Sequence, residues 1–269
     1  MTAGDWSYGV DLDTPSPARM YDYYLGGNHN FAADRAAAEQ VAAAIPNVRG
    51  IARTNRAFLG NAVRYLLGQG VRQFLDIGSG IPTVGNVHEI IADARPAARV
   101  VYVDTDPVAV AHSITLLRGN PNASAIRADL RSPEAILSHH NVRTLIDLNK
   151  PVGLLLVSML HFVDDNDAYP AVAYLRDQLA PGSYVVLSHP VDEAFDNASA
   201  DTVAQVYRRT TAPTGGLRSR AQIGEFLSGL ELTEPGLVWV SQWQPGPLID
   251  TSDHHDIGIL AAVAHKPHP

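Results

Sequence analysis

The sequence predicts an α/β fold: a seven-stranded, mostly parallel sheet flanked by helices, preceded by an N-terminal helical extension. Three observations predict it. Short β-branched apolar runs alternate with helical patterns of roughly 10–15 residues, the mark of βαβ units on a parallel sheet. The first run, Gln73-Phe74-Leu75-Asp76-Ile77, leads into a glycine turn, Gly78-Ser79-Gly80, and then a helical pattern. Two later runs end in an acid, as this one nearly does: Arg99 to Asp104, and Ala125 to Asp129.

In chain order, residues 1–16 are polar and read as extended. Ala18 to Leu25 forms a short helix stopped by Gly26-Gly27, a C-terminal signal. Alanine-rich Phe31 to Ile45 is a second helix, ended by Pro46. Ile51, Phe58, Leu59, Val63, Leu66 and Leu67 stripe a third at helical spacing. Residues 1–70 are thus a helical extension, expected against the sheet or as a lid over its crevice, and residues 71–269 are the sheet domain. After the glycine turn, Val84, Val87, Ile90 and Ile91 mark a helix ending near Pro96. Pro107 suits the first turn of the next helix, whose stripe is Val108, Ala111, Ile114 and Leu117. Ser132-Pro133-Glu134 opens another. Pro151 to Ser158 is a central strand by its unbroken hydrophobicity. Ala168 to Leu179 is helical, Ser183 to Ser188 is a strand, and Glu193 to Arg209 and Arg220 to Leu227 are helical. Leu237 to Val240 and Ile257 to Ala264 close the sheet as an antiparallel pair joined by the loop Pro245 to Asp256.

Composition bounds the function. With 269 residues, 46% hydrophobic and 18% charged, the chain is ordinary globular material. It has no cysteine, which excludes a disulfide framework, a thiolate nucleophile and cysteine-ligated zinc and fits a reducing cytoplasm. No apolar run approaches the ~20 residues that span a bilayer, and Met1 to Trp6 lacks the regions of a signal peptide. A cytoplasmic protein without a membrane partner is expected. At net charge −8 and pI 5.7 the chain lacks the basic balance that displaces counterions from nucleic acid. The eleven histidines are scattered, and the adjacent pairs His139-His140 and His254-His255 cannot share a helix face, so no metal is expected.

Ligands of parallel sheets bind at the carboxyl ends of the strands, which puts all three acids around one crevice. Asp76 then distinguishes cofactors. A turn that cradles a pyrophosphate uses bare backbone N–H dipoles, whereas a cationic ligand gains from a carboxylate at ~4 Å. Thr83 also stands where a GxGxxG dinucleotide fingerprint needs its third glycine. The pattern therefore favours S-adenosylmethionine over a dinucleotide. Gly78, Ser79 and Gly80 would let the backbone approach the methionine end closely. Asp104 is placed for the ribose hydroxyls, with Thr105 or Asp106 beside the adenine; Asp106 is equally placed to cap the helix at Pro107. Asp129, followed by Leu130, either accepts from the adenine amine or caps the helix after Ser132.

Asp76-x-Gly78-x-Gly80, Asp104 and Asp129-Leu130 are similar to the successive cofactor motifs of class I, Rossmann-like S-adenosylmethionine-dependent methyltransferases. More narrowly, the run Pro17 to Arg35, the Phe74 to Thr83 turn, Leu160-His161-Phe162, Gly182-Ser183-Tyr184 and Arg218-Ser219-Arg220 resemble an actinobacterial family of such enzymes, formerly a domain of unknown function. The likeness spans nearly the whole chain, and its N-terminal run is the family-specific part. Where many members carry Lys-Asp after the double glycine, this chain carries Asn28-His29. The resemblance implies a Rossmann-like methyltransferase sheet, S-adenosylmethionine as cofactor and methyl transfer to the oxygen or nitrogen of a small molecule. It supplies no substrate. A non-catalytic protein that binds or senses the cofactor is the alternative.

The remaining candidates sit near that crevice. His161, just past the fourth strand, either takes the acceptor's proton or supports the adenosine pocket; Ser158 ends the strand beside the cofactor. The Asn/Asp-Pro-Pro-aromatic signature of enzymes that methylate adenine or glutamine amines is absent after this strand. Arg19 is placed for the cofactor carboxylate. Tyr21 and Tyr24 either meet the sulfonium, a cation–π contact of ~0.5–2 kcal/mol, or pack on the core.

Overall fold

The computed structural model describes residues 11–82, 85–212, 215–243 and 258–268. Three helices come first: α1 (Pro17–Tyr24), α2 (Ala32–Ala44) and α3 (Val48–Gly68). One carboxylate ties the first two together. Asp34, in the first turn of α2, accepts from the N–H of Phe31 and from that of Ser16, each at 2.8 Å, so the residues preceding both helices are bound to one acid.

The core then alternates as β1 (Gln73–Ile77), α4 (Val87–Ile90), β2 (Arg99–Asp104), α5 (Pro107–Leu116), β3 (Ala123–Arg127), α6 (Pro133–Ser138), α7 (His140–Leu145), β4 (Gly153–Val157), α8 (Asp165–Gln178) and β5 (Tyr184–Pro190). It closes with α9 (Asn197–Tyr207), α10 (Arg220–Glu225), β6 (Glu231–Leu232), β7 (Val238–Trp239) and β8 (Ile259–His265). The sheet order is β3-β2-β1-β4-β5-β8-β6, with β7 also paired to β8. Strands β1 to β5 are parallel, and β8 runs antiparallel to β5, β6 and β7. The order reverses between β1 and β4, the switch point where open α/β sheets bind ligands.

Residues of the central strands alternate between two cores, as the two-residue period of a strand requires. Leu75, Ile77, Val101, Leu154 and Leu156 pack on one face with Val172 and Leu175 of α8. Phe74, Val100, Leu155 and Val186 pack on the other with Phe58, Ala62 and Leu66 of α3. A separate cluster joins Met20, Tyr24, Ala38 and Val41 of the N-terminal helices to Val206 of α9.

The expected architecture is present with three corrections. The sheet has eight strands, not seven; the added one, Glu231–Leu232, is a two-residue pairing with no apolar run of its own. The helix after the glycine turn is a single turn, Val87–Ile90, started by the Glu89 carboxylate on the N–H of Asn86 at 2.8 Å, and the chain continues toward Pro96 in turns. The span Glu193 to Arg209 is a 3-10 turn (Asp192–Ala194) followed by α9. Residues 1–10, Thr83, Val84, the loop Pro245 to Asp256 and Ile257 lie outside the described residues. No described helix is long and apolar enough to cross a membrane.

Candidate active site

The glycine turn is built by two different demands. Gly78 (φ +69°) and Gly80 (φ +65°) both occupy the left-handed region that favours glycine. A Cβ on Gly78 would lie 2.5 Å from Cβ of Met159, whereas one on Gly80 would meet no atom within 4 Å. Gly78 is thus fixed by packing beneath the β4 tip, and Gly80 leaves an open surface. That surface belongs to a cavity of about 300 Å³ at the carboxyl ends of β1, β2 and β4, walled by residues of α1, α3 and α9.

All three predicted acids line this one cavity. Asp76 is 4% exposed, and among the described residues its carboxylate accepts no hydrogen bond. Burial pushes its pKa up to about 7, opposed by the Arg56 guanidinium and assisted by Asp104. Asp104 is raised to about 6 by burial, against hydrogen bonds from the backbone: it accepts from the N–H of Gly80 at 2.7 Å and of Asp106 at 2.9 Å. The acid therefore staples the glycine turn to the β2 tip, and each oxygen keeps a lone pair. Asp106 is the helix cap, accepting from the N–H of Val108 and Ala109 at 2.8 and 2.9 Å. Asp129 does not cap α6; it accepts from the N–H and guanidinium of Arg131. Partial burial opposes ionisation of Asp129, but the Arg131 contacts outweigh it and hold the carboxyl below its ordinary value. Ser79, Thr105 and Leu130 also line the cavity.

Arg19 is a correction. It lies away from the cavity wall, 1% exposed, donating to the carbonyls of Asp11 and Thr14 at 3.2 and 2.6 Å. Its guanidinium also stands 3.3 Å from Asp34 and 3.7 Å from Asp106. It braces the N-terminal segment against α2 and the start of α5. Among the described residues two guanidinium groups do line the cavity: that of Arg131, paired with Asp129, and that of Arg56, whose Nε is buried without a partner and whose Cζ lies 5.8 Å from the centre of the Tyr21 ring.

Tyr21 and Tyr24 both line the cavity and are both tied into the N-terminal helices. The Tyr21 hydroxyl donates to the Ala52 carbonyl at 3.0 Å and accepts from Asn55 Nδ2 at 3.0 Å. The Tyr24 hydroxyl donates to the Ala38 carbonyl at 3.4 Å. Asn55 in turn accepts from Ser188 Oγ at 2.6 Å, which wires α3 to β5. Asn55 carried a readable signal, because it sits four residues from both Ile51 and Leu59 and so falls on the buried stripe of α3.

Ser158, at the β4 tip, has φ +50°, the one non-glycine in the left-handed region among the described residues. Such strain collects at functional sites. Here it bends the strand into the 3-10 turn Leu160–Phe162 that carries His161. Arg218, 1% exposed, grips this turn from behind. Its Nη1 donates to the Leu160 carbonyl at 2.9 Å and to His189 Nε2 at 2.7 Å, its Nη2 to the Val163 carbonyl at 2.8 Å, and its Nε to Asp165 at 2.8 Å. His189 donates through Nδ1 to the Pro190 carbonyl, which leaves Nε2 as the acceptor for Arg218. Burial, with Arg218 beside it, lowers the His189 pKa to about 4.

His161 lines the cavity with its Nδ1 buried and unpartnered. Burial, then His189 and Arg218, push its pKa well below the usual value, so the imidazole is neutral at neutral pH.

A family model described as S-adenosyl methyltransferase matches residues 5–267. The chain is 38% identical to a crystallised protein of Thermobifida fusca YX named a "putative methyltransferase", with a TM-score of 0.90 over 97% of this chain and 98% of that one. It is 38% identical to a duf574 family protein of Streptomyces avermitilis ma-4680, with a TM-score of 0.89 over 96% and 100%. An O-methyltransferase family protein of Burkholderia thailandensis, 11% identical, shares the fold, with a TM-score of 0.52 over 82% of this chain and 60% of that one. No curated protein matches the chain. The sheet order, the acid-lined crevice and these likenesses agree: the chain belongs to the S-adenosyl methyltransferase family and is a class I enzyme that uses S-adenosylmethionine.

Proposed function

We propose that the enzyme methylates a small-molecule acceptor, and that the cavity over β1, β2 and β3 is its cofactor site. The observation that carries this reading is the pairing of a buried carboxylate without hydrogen bonds, Asp76, with a nearby guanidinium, Arg56, whose Nε has no partner. That combination suits a zwitterion that also bears a sulfonium. Asp76 would face the cationic groups of S-adenosylmethionine and Arg56 its carboxylate. Gly78, Ser79 and Gly80 would lie along the methionine chain. The spare lone pairs of Asp104 would take the ribose hydroxyls, and Thr105, Asp129 and Leu130 would border the adenine. When bound, the cofactor supplies an electrophilic methyl group. The chain's own part is to align it with the acceptor and exclude water, which in favourable cases lowers a barrier by ~7–11 kcal/mol.

Residues 1–70 act in this reading as a lid over the sheet domain 71–269, with Tyr21 and Tyr24 on its inner face. Ser158 and His161 lie where the acceptor would meet the methyl group. A neutral imidazole there serves as a hydrogen-bonding partner; storing a proton on it would set a cation against Arg218.

Calorimetric titration with S-adenosylmethionine, S-adenosylhomocysteine and NAD tests the assignment. Both sulfur compounds are expected to bind and NAD not to; tight NAD binding without them would end it. Arg56→Met is expected to weaken both sulfur compounds about tenfold or more, the value of a lost charge-assisted contact, while leaving adenosine binding unchanged. Asp104→Ala should cost ~1–3 kcal/mol in adenosine affinity. It should also cost stability, because the N–H groups of Gly80 and Asp106 lose their acceptor; unchanged adenosine affinity would show that the ribose is held elsewhere.

A further inference from the structure

We infer that the methyl acceptor is an uncharged molecule with an apolar, ring-containing body that presents a hydroxyl group. This rests on the methyl-transfer reading of the same cavity and adds its substrate class.

The cavity has two chemically different ends. Among the described residues its charged lining side chains are Arg56, Asp76, Asp104, Asp106, Asp129 and Arg131. Five of these lie on or just beyond the tips of β1, β2 and β3, and the sixth, Arg56, acts on Asp76. The other end lies over β4 and β5, between the lid and α9. Its wall is apolar and aromatic: Ile45 and Val48 from the lid side, Phe162 and Phe195 from the loops, Val203 and Tyr207 from α9. The rings form a cluster. Phe162 lies edge-on to Tyr207 with centroids 5.3 Å apart and against His161 at 3.9 Å. The polar side chains here are uncharged: Ser158, His161, Tyr24, Tyr207, Thr211 and Asn55, the last already bonded to Tyr21 and Ser188.

This end disfavours charge of either sign. The same burial that keeps His161 neutral, reinforced by His189 and Arg218, would act against an ammonium brought beside it. Burial also raises the Tyr207 hydroxyl to about 12 and the Tyr24 hydroxyl further still, so both stay neutral and an anion here meets hydroxyl dipoles but no cationic side chain of the lining. Arg218 is no counter-charge for a carboxylate or phosphate, because carbonyls, His189 and Asp165 occupy its donors. Stripping an ion of water without a partner costs far more than burying an apolar ring, and aromatic walls favour offset or edge-on ring contacts. A basic amine, a carboxylate and a phosphate ester are thereby disfavoured, and a phenol or related hydroxyl fits. Its methylation balances simply: the hydroxyl oxygen forms the new C–O bond, the C–S bond breaks with its electron pair returning to sulfur, and the hydroxyl proton passes to water.

The test is equilibrium binding to the full chain saturated with S-adenosylhomocysteine, using 2-naphthol, 2-naphthylmethylamine, 2-naphthoate and 2-naphthyl phosphate as probes that share one ring system. The naphthol is expected to bind at least tenfold more tightly than each charged probe. Val203→Lys, which puts a cation on the apolar wall, should abolish naphthol binding and retain that of S-adenosylhomocysteine, which shows that the variant is folded. If S-adenosylhomocysteine binds and any charged probe matches the naphthol, or the naphthol does not bind, the substrate class is overturned while the cofactor assignment stands. If S-adenosylhomocysteine does not bind the unmodified protein, both fall.

Discussion

Asp76→Asn is expected to stabilise the protein at pH 8 while crippling cofactor binding. The ordinary pKa of this carboxyl is 3.8, and burial raises it in the folded chain to about 7. Below pH 3.8 both states hold the proton and nothing is lost. As pH rises from there the unfolded chain ionises first, so folded stability declines until the folded carboxyl also ionises near pH 7; above that the full cost is present. A carboxyl displaced this far costs on the order of 4 kcal/mol when ionised. Asparagine fills the same space without charge, so it should regain about 2–4 kcal/mol at pH 8 and nothing at pH 3.5, read as urea midpoints at the two values. Affinity for S-adenosylmethionine should fall about 10–100-fold through the lost charge-assisted contact. A variant no more stable at pH 8, or one that binds as well as the parent, would show that Asp76 is neither strained by burial nor paired to a cationic ligand.

Arg218→Met is expected to be the most destabilising single change near the site. It strands the carbonyl of Val163 and the Nε2 of His189, and leaves the Leu160 carbonyl with the Val163 N–H as its one remaining donor. Losing one member of a buried charged network of this kind costs about 3–5 kcal/mol. Arg218→Lys should recover little, since a single ammonium cannot reach acceptors spread over the turn, His189 and Asp165. Because the guanidinium fixes the turn carrying His161, the lysine variant should also lower the methylation rate by more than it weakens S-adenosylhomocysteine binding. Equal losses in both, or a Tm unchanged by the methionine substitution, would place the role of Arg218 elsewhere.

Much of this was legible because it depends on local chemistry. The strand, the glycine turn and the acids at the strand tips announce themselves by spacing, and the topology of parallel sheets gathers those tips at one edge. Asp106 was readable as a cap because Pro107 follows it. What was not legible depends on partners distant in sequence. Arg19 lies in the family-specific run and looked free to meet a carboxylate, yet Asp34 and Asp106 reach it only after folding. Arg56 sits within an amphipathic helix with nothing local to separate it from Arg53 or Arg64. The left-handed backbone of Ser158 follows from the register between β4 and β5, where its N–H meets both the carbonyl and the Oγ of Ser188. The grip of Arg218 on the His161 turn joins segments more than 50 residues apart.

The central claim is that an ionised Asp76 receives the cationic cofactor, and its most direct test is the pH dependence of S-adenosylmethionine binding by calorimetry in buffers of different ionisation enthalpy. Binding a cation favours the ionised carboxylate, so affinity should rise with pH up to about 7 and level off above it. Binding below that pH should release a proton that disappears in Asp76→Asn. Affinity independent of pH from 5.5 to 8.5, about 1.5 units either side of that midpoint, without proton release, would contradict the account.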